Sequence, residues 1–230
     1  MAIFFGVATA LLGQAWFENR ADRIQEQELL RAVLDEMEVN LEGTTVGLSQ
    51  VQIRRAELQA FHGFLGSTDA ASDPDSVVGG AAQLLQTYSA RVVSPALEYA
   101  LQATNLRLIQ NPEVREMLTS YQNRIRLQRE FTDDHQDWTN QTVRSFVIAN
   151  AVVRDRNEND GRTLSALVGT TFPRSRFSGV GEQLIRSREF DNLVLDQIYW
   201  HLLIERRMAL NADALPGYLA QLRSELRLDD

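Results

Sequence analysis

Apolar residues recur at alternating steps of four and three along the first third of the chain. Residues 20–65 contain no proline, and the positions between the apolar ones are rich in Glu, Gln and Arg. A 3.5-residue repeat is typical of a long helix that packs against other helices along one side. We call the repeating positions the first seam: Leu30, Leu34, Met37, Leu41, Thr44, Leu48, Val51, Arg55, Leu58, His62 and Leu65.

Small and polar residues interrupt this pattern after residue 65. Residues 66–80 predict a flexible loop between a helical stalk, residues 20–65, and the remaining helices, residues 81–230. Ser94-Pro95 and Asn111-Pro112 each place a capping residue before a proline, which is typical of a helix start. We expect a short helix to Arg91, a helix after Ser94 and a long helix from Asn111 to about Arg154. A polar loop to Arg162 and an irregular stretch to Gly181 would follow. The chain would end with a long helix to Leu210, a turn over residues 211–216 and a last helix.

The two later long helices have seams of their own. The second seam is Leu118, Tyr121, Ile125, Gln128, Phe131, His135, Trp138, Thr142, Phe146 and Ala149, and the third is Phe190, Leu193, Val194, Ile198, Leu202, Glu205 and Met208. No segment alternates Val, Ile or Thr with polar residues as a half-buried strand does. The sequence therefore predicts an all-α protein, whose N-terminal transmembrane helix continues into an antiparallel bundle of long helices.

The N-terminal stretch, residues 2–17, is uncharged and ends in the aromatic pair Trp16 and Phe17. Charged residues follow at once, as at a membrane–water boundary. At ~1.5 Å per residue this stretch covers about 24 Å, against a hydrocarbon core of ~30 Å. We expect residues 1–19 to be a retained membrane anchor, with a cleaved signal peptide and a buried core helix as alternatives. Gly6, Ala10 and Gly13 would let another helix approach closely.

Composition removes several classes of function. The chain has no cysteine and no lysine, and its 23 basic residues are all arginines. Thiol nucleophiles, Cys-based metal sites, Schiff bases and the lysine of a phosphate-binding loop are therefore excluded. The net charge is −8, with acids interleaved among the arginines, so we expect no nucleic-acid partner.

Three histidines are the main candidates for chemistry. His135 lies among Asp133, Asp134 and Asp137, and His201 precedes Glu205 by one helical turn. A carboxylate-type metal site in a bundle uses Glu-x-x-His pairs, and the sequence contains none. We expect no catalytic, cofactor-binding or metal residues, and we interpret the histidines as structural. A three-histidine site would arise only if His62, His135 and His201 met in one layer.

Three segments together carry a resemblance: GVATALLGQAWFENRADR, ELLRAVLDEMEVNLEG and SPALEYALQATNLRLIQNPEVREMLTSYQNRI. They resemble a bacterial family of single-span, membrane-anchored helical-domain proteins that has no established activity. The matching positions of the third segment are Ser94, Asn105, Leu106, Leu108, Ile109, Pro112, Arg115 and Tyr121. The resemblance implies an anchored helical domain and supplies no catalytic residues.

The orientation of the anchor has two interpretations. The arginines that follow residue 17 favour a cytoplasmic domain by the positive-inside rule. The resemblance favours an extracytoplasmic, periplasmic domain on the bacterial inner membrane, although the basic stretch that precedes the span in that family is missing here. We expect the extracytoplasmic side.

We expect the protein to be a non-enzymatic accessory or scaffold subunit that is anchored in the membrane and docks onto a larger membrane complex, for example an energy-transducing one. Its partners would be membrane lipid and either an integral membrane protein or further copies of the chain, and it would need no cofactor. The first alternative is an extracytoplasmic ligand-sensing bundle. The second is a hydrolase that uses carboxylates or His135.

Overall fold

The computed structural model describes residues 2–88, 92–150 and 180–227. This part of the chain is helical throughout its regular structure and contains no strand, so the predicted all-α class is confirmed. The expected polar loop over residues 154–162 and the irregular stretch up to residue 179 lie outside the described residues. The helices are α1 (Ala2–Leu65), α2 (Thr68–Ser72), α3 (Pro74–Gln83), α4 (Pro95–Ala100), α5 (Ala103–Leu106), α6 (Pro112–Trp138), a π-helical turn (Thr139–Val143), α7 (Arg144–Asn150), α8 (Val180–Ile185) and α9 (Arg188–Leu226).

Helix α1 is continuous over 64 residues and ends at Leu65. Every position of the first seam is buried or half-buried, as the repeat predicts. Thr44 is buried, and Arg55 is accommodated by an ion pair in which its Nε lies 2.6 Å from Oε2 of Glu205. A helix of this length depends mainly on packing of its apolar side, since intrinsic propensity contributes little.

The flexible loop predicted for residues 66–80 is wrong, because α2 and most of α3 lie there. The side chains of Ala70 in α2 and Val77 in α3 are fully buried. These apolar side chains pack both short helices into a hydrophobic core although most of the stretch is polar. The carboxylate of Asp73 accepts hydrogen bonds from the backbone N–H and the hydroxyl of Ser76, at 3.3 and 2.5 Å. Asp73 therefore satisfies polar groups in the first turn of α3.

The start of α4 is capped from another helix. The predicted capping residue, Ser94, bonds Glu98 through its hydroxyl and gives no side-chain hydrogen bond to the helix backbone. Glu36 of α1 instead accepts hydrogen bonds from the N–H groups of Ala96 and Leu97, at 2.8 and 3.2 Å. A carboxylate at a helix N-terminus satisfies orphan donors and interacts favourably with the helix dipole.

Helix α6 begins at Pro112, as predicted, with Asn111 Oδ1 accepting the N–H of Glu113 at 3.0 Å. Every position of the second seam is buried or half-buried up to Trp138, but beyond it only Phe146 is buried, since Thr142 and Ala149 are exposed. The π-helical turn explains the failure, since the wider turn inserts one residue and moves the inward side along by one position. The residues that face the core after the turn are Val143, Phe146 and Val147.

Helix α9 runs through the turn predicted for residues 211–216 and contains Pro216 in its interior. A proline inside a helix costs ~3 kcal/mol, because it removes a hydrogen bond and crowds the preceding turn. Leu215, Leu219 and Leu222 are buried on either side of it, and each contributes ~1.5–3 kcal/mol by leaving water. Packing therefore outweighs the local signal for a break. Leu202 is also exposed, against its place in the third seam.

The chain divides into two compact units. The first unit comprises residues Met1–Val46, Arg91–Leu127 and Ala209–Asp230, and the second unit comprises Gly47–Ala90 and Gln128–Met208. The first unit has a core of leucines with Met37, Ile109 and Tyr121. The core of the second unit centres on Leu58, Leu84, Phe146 and Phe190. Within the second unit, Phe146 stacks on Phe190 with ring centroids 6.0 Å apart.

The predicted membrane anchor is not supported by the helix that contains it. Among the described residues, no helix combines the length and the apolar character that crossing a bilayer requires. The apolar stretch of α1 ends at Phe17, short of a hydrocarbon core, and Glu18, Arg20 and Asp22 follow in the same helix. The single-span anchor over residues 1–19 and the inner-membrane location derived from it are therefore wrong.

Candidate functional site

Two of the three histidines meet in the second unit. The rings of His135 on α6 and His201 on α9 are perpendicular, with centroids 5.1 Å apart. Trp138 and Trp200 lie beside them, with centroids 6.4 and 5.6 Å from that of His135. His62 lies elsewhere in this unit, where its Nε2 is 3.0 Å from Oδ1 of Asp191. The three histidines therefore do not share one layer.

Gln197 fixes both histidine rings. His135 Nε2 lies 2.9 Å from Gln197 Oε1, and since an amide oxygen only accepts, the imidazole donates. His201 Nδ1 lies 2.8 Å from the backbone carbonyl of the same residue and donates to it. The other nitrogen of each neutral ring, Nδ1 on His135 and Nε2 on His201, is then unprotonated. Buried His135 Nδ1 has no hydrogen-bond partner among the residues that the structure describes.

Burial keeps both rings neutral. Both side chains are almost completely buried, which lowers the pKa of His201 to about 4 and also lowers the pKa of His135. The hydrogen bonds to Gln197 oppose this shift, whereas the positive charge of Arg54 adds to it for His201. Desolvation disfavours the charged form of a base, so burial outweighs the hydrogen bonds here.

The histidine cluster lacks a carboxylate partner in the part of the chain that the structure describes. Glu205, one turn after His201, is engaged by Arg55. No group of three or more possible metal-ligating side chains comes together among the described residues. A catalytic histidine is usually oriented by a carboxylate, and these two are oriented by an amide and a carbonyl. The arrangement provides neutral hydrogen bonding and aromatic packing.

The acidic residues next to His135 in sequence point away from it. Asp133, Asp134 and Asp137 are all exposed, whereas His135 is fully buried. The aspartates thus face solvent while the histidine faces the core, and they do not form a common site. At 100° per residue, Asp134 lies about 100° from His135 around α6, and Asp133 and Asp137 each lie about 160° from it.

A second candidate site is the side of α1 that faces away from its seam. Within the first unit it exposes Phe17, Ile24, Val39 and Val46, with exposed fractions between 49% and 67%. At 3.6 residues per turn these four positions fall within about 60° of one another. We call them the outer face of α1. Asp35 and Glu42, both exposed, flank Val39 on the same side.

The residues proposed for membrane anchoring and helix contact lie at the start of α1. Trp16 and Phe17 are exposed, with ring centroids 5.0 Å apart, and the guanidinium of Arg20 lies 5.6 Å from the Trp16 ring centre. Gly6, Ala10 and Gly13 are in the same helix, and their contacts lie outside what the structure describes. The close helix approach predicted for them stays a prediction.

Sequence reasoning identified His135 and His201 separately but missed their meeting and the role of Gln197. Gln197 is polar and one residue away from the predicted third seam, so its full burial had no signal in the apolar repeat. Likewise, the outer face of α1 is visible in sequence only after the seam has been assigned, as valines spaced seven apart on the opposite side.

Comparison with protein-family models, with curated proteins and with solved structures finds no match for this chain. The resemblance to a family of membrane-anchored proteins is therefore still a prediction. The histidine cluster and the outer face of α1 are interpreted from their own contacts, burial and charges.

Proposed function

We propose that the protein acts by contact, as a non-enzymatic accessory or scaffold subunit of a larger protein assembly. Its long helices would form a bundle that presents docking faces. The observation that carries this proposal is the outer face of α1, where apolar side chains are aligned in water rather than scattered. Isolated exposed apolar residues are ordinary, but an aligned set is typical of an interaction surface.

The spacing of these residues suits a helical partner. Phe17 and Ile24 are seven residues apart, as are Val39 and Val46, and seven residues are two turns of a helix that pairs with another. The outward side of a helix in a bundle is normally polar, because it faces water. Apolar residues repeated there are explained by a partner that covers them.

The outer face is also held rigidly. Buried Glu26 of α1 accepts the backbone N–H of Gln110 at 2.6 Å, and Asn40 bonds both the N–H and the C=O of Val93. These contacts fix α1 within the first unit from the side opposite its outer face. A surface that is held in one conformation loses little entropy on binding, which favours a docking role.

The test is affinity capture of the whole protein from the cells that make it. We expect a stoichiometric partner with the wild type and its loss with the double substitution Val39→Asp and Val46→Asp. The matched control is Asn123→Asp, which adds a negative charge at an exposed position of α6 in the same unit, away from the outer face, and should retain the partner. Circular dichroism should show the same helix content for all three. Capture of no stoichiometric protein by the wild type, or equal capture by the double variant, would overturn the proposal.

A further inference from the structure

Helix α9 exposes an apolar side of its own within the second unit. Leu195, Tyr199 and Leu202 are 43%, 58% and 46% exposed, although Leu202 belongs to the predicted third seam. Their spacing of four and then three residues places all three on one side of the helix. The buried residues Val194, Gln197 and His201 occupy the other side, so α9 has apolar positions both inward and outward.

Two opposite charges frame these three residues symmetrically. Asp191 lies four residues before Leu195, and Arg206 lies four residues after Leu202. Along the sequence, Leu195 and Leu202 are centred on a point between Ile198 and Tyr199, and Asp191 and Arg206 are centred on the same point. When two copies of this helix lie antiparallel about that point, Leu195 of one copy is opposite Leu202 of the other, and Asp191 is opposite Arg206. The side formed by Asp191, Leu195, Tyr199, Leu202 and Arg206 is called the α9 face.

Both charges can bind a partner. The Asp191 side chain is 52% exposed and uses Oδ1 for its contact with His62, so Oδ2 is left for a second donor. Arg206 is exposed and has no ion-pair partner among the described residues. A carboxylate accepts an arginine readily even when one oxygen is already engaged, because it offers about four lone-pair sites.

We propose that the α9 face binds a second copy of this chain as an antiparallel helix pair around a two-fold axis. Leu195 of one copy packs on Leu202 of the other, the two Tyr199 rings lie near the axis, and Asp191 pairs with Arg206 at both ends. A two-fold interface uses the same patch on both subunits and therefore requires self-complementarity, which this face has. A parallel pair would instead oppose Asp191 to Asp191 and Arg206 to Arg206.

This inference goes beyond the proposed function, because it uses another helix and needs no other protein. The α9 face offers five residues per copy, fewer than the roughly 20–30 residues a side of a standard interface, so we expect a dissociation constant on the order of micromolar. Charge complementarity at the ends then supplies specificity for the antiparallel arrangement more than affinity.

The test is sedimentation equilibrium of the full chain over a range of about 1 to 300 µM, which brackets the expected dissociation constant. Wild type should pass from monomer to dimer. R206E should weaken dimerisation by about tenfold or more, because a carboxylate would then face Asp191 at each end of the pair. The double variant D191R/R206E should restore it, because the charges are exchanged. Single variants D191R and R206E, mixed, should form a heterodimer that is tighter than the homodimer of either variant.

The matched control is D134R, a charge reversal at an exposed site of the same unit away from the α9 face, and it should dimerise as wild type does. Far-ultraviolet circular dichroism checks that every variant keeps its helix content. A wild type that stays monomeric throughout the range, an R206E variant that dimerises normally, or a double variant that is not restored would each overturn the proposal. An apolar face that binds only a different protein would appear as the first of these outcomes.

Discussion

The side-chain amide of Gln197 holds the ring of His135 through a hydrogen bond of 2.9 Å. The same amide donates through Nε2 to the backbone carbonyl of Leu84 at 2.7 Å and to the hydroxyl of Thr139 at 3.2 Å. Gln197 is fully buried. One side chain of α9 therefore satisfies polar groups on α6, on the π-helical turn and on the segment that follows α3.

Replacing Gln197 by Ala should destabilise the protein strongly. The substitution leaves His135 Nε2–H, the Leu84 carbonyl and the Thr139 hydroxyl without their partner, and each buried unsatisfied group costs ~1–3 kcal/mol. We expect a loss of about 3 kcal/mol or more in urea denaturation. Gln136→Ala is the matched control, because Gln136 is exposed on α6 and its loss should change stability by less than ~0.5 kcal/mol. Equal losses in the two variants would mean that the network contributes nothing.

Stability should fall as the pH drops from about 6.5 to about 4. The pKa of His201 is lowered to about 4 by burial, while an unfolded histidine titrates near ~6.5. In that window the unfolded chain binds a proton that the folded chain does not, so the free energy of unfolding rises with pH and is largest above the window. Since one pKa unit corresponds to 1.36 kcal/mol, protonation of His201 alone should lower the free energy of unfolding by roughly 3 kcal/mol across this window. The lowered pKa of His135 adds to it in the same direction.

Urea denaturation from pH 4 to 7.5 measures this dependence, and His201→Gln isolates the part due to His201. Exposed and paired carboxylates also titrate in acid, so the quantity to compare is the difference in slope between wild type and variant. We expect a shallower slope in His201→Gln. Parallel curves over the whole range would show that His201 does not titrate with folding.

The apolar repeats predicted the all-α class and the buried side of α1, because burial along a helix leaves a periodic record in sequence. They failed where the backbone changes period. The π-helical turn at Thr139–Val143 shifts the inward positions from Thr142 to Val143, and no local residue pattern announces an extra residue per turn. They failed also at Pro216, where the burial of nearby leucines outweighs the cost of a proline.

The histidine cluster was only half visible in sequence. His135 and His201 each fall near a seam, but whether two seam residues meet depends on the relative register of α6 and α9. Gln197 sets that meeting through long-range hydrogen bonds, which leave no periodic signal. The outer face of α1 and the α9 face were missed for a different reason. Apolar residues aligned along a helix are normally assigned to the core, and only the structure shows that a different side of each helix is the buried one.

Asn40 and Tyr121 should differ in their contribution to the first unit. Asn40 is buried, donates to Val93 O at 2.6 Å and to Tyr121 Oη at 2.9 Å, and accepts from Val93 N at 2.9 Å. Asn40→Ala leaves three groups unsatisfied and should cost about 3 kcal/mol or more, whereas Tyr121→Phe removes one hydrogen bond and should cost about 1 kcal/mol. Thermal denaturation gives the ranking. A larger loss of stability in Tyr121→Phe than in Asn40→Ala would show that the tyrosine hydroxyl contributes more than the asparagine amide.

Burial raises the pKa of Tyr121 to about 12. The phenol should therefore stay protonated in the folded protein well above the range where exposed tyrosines ionise. Ultraviolet difference spectroscopy of wild type against Tyr121→Phe should show no Tyr121 phenolate signal at pH 10.5. A phenolate signal at that pH while the helix content is intact would contradict the buried position of this ring.

Two glycine-to-alanine substitutions in helices of the second unit should have opposite signs. A Cβ added at Gly63 in α1 meets nothing within 4 Å, so Gly63→Ala should stabilise by ~0.5–1 kcal/mol, because alanine restricts the unfolded chain. A Cβ added at Gly80 in α3 would overlap the ring of Phe61, which packs edge-on against Phe190 with centroids 6.2 Å apart. That ring must then move within a packed core, so Gly80→Ala should cost ~1–3 kcal/mol. Urea denaturation of both variants with unchanged m-values gives the two differences directly. Stabilisation by Gly80→Ala would show that Phe61 has room to rotate and that the close packing of α3 on α1 does not hold.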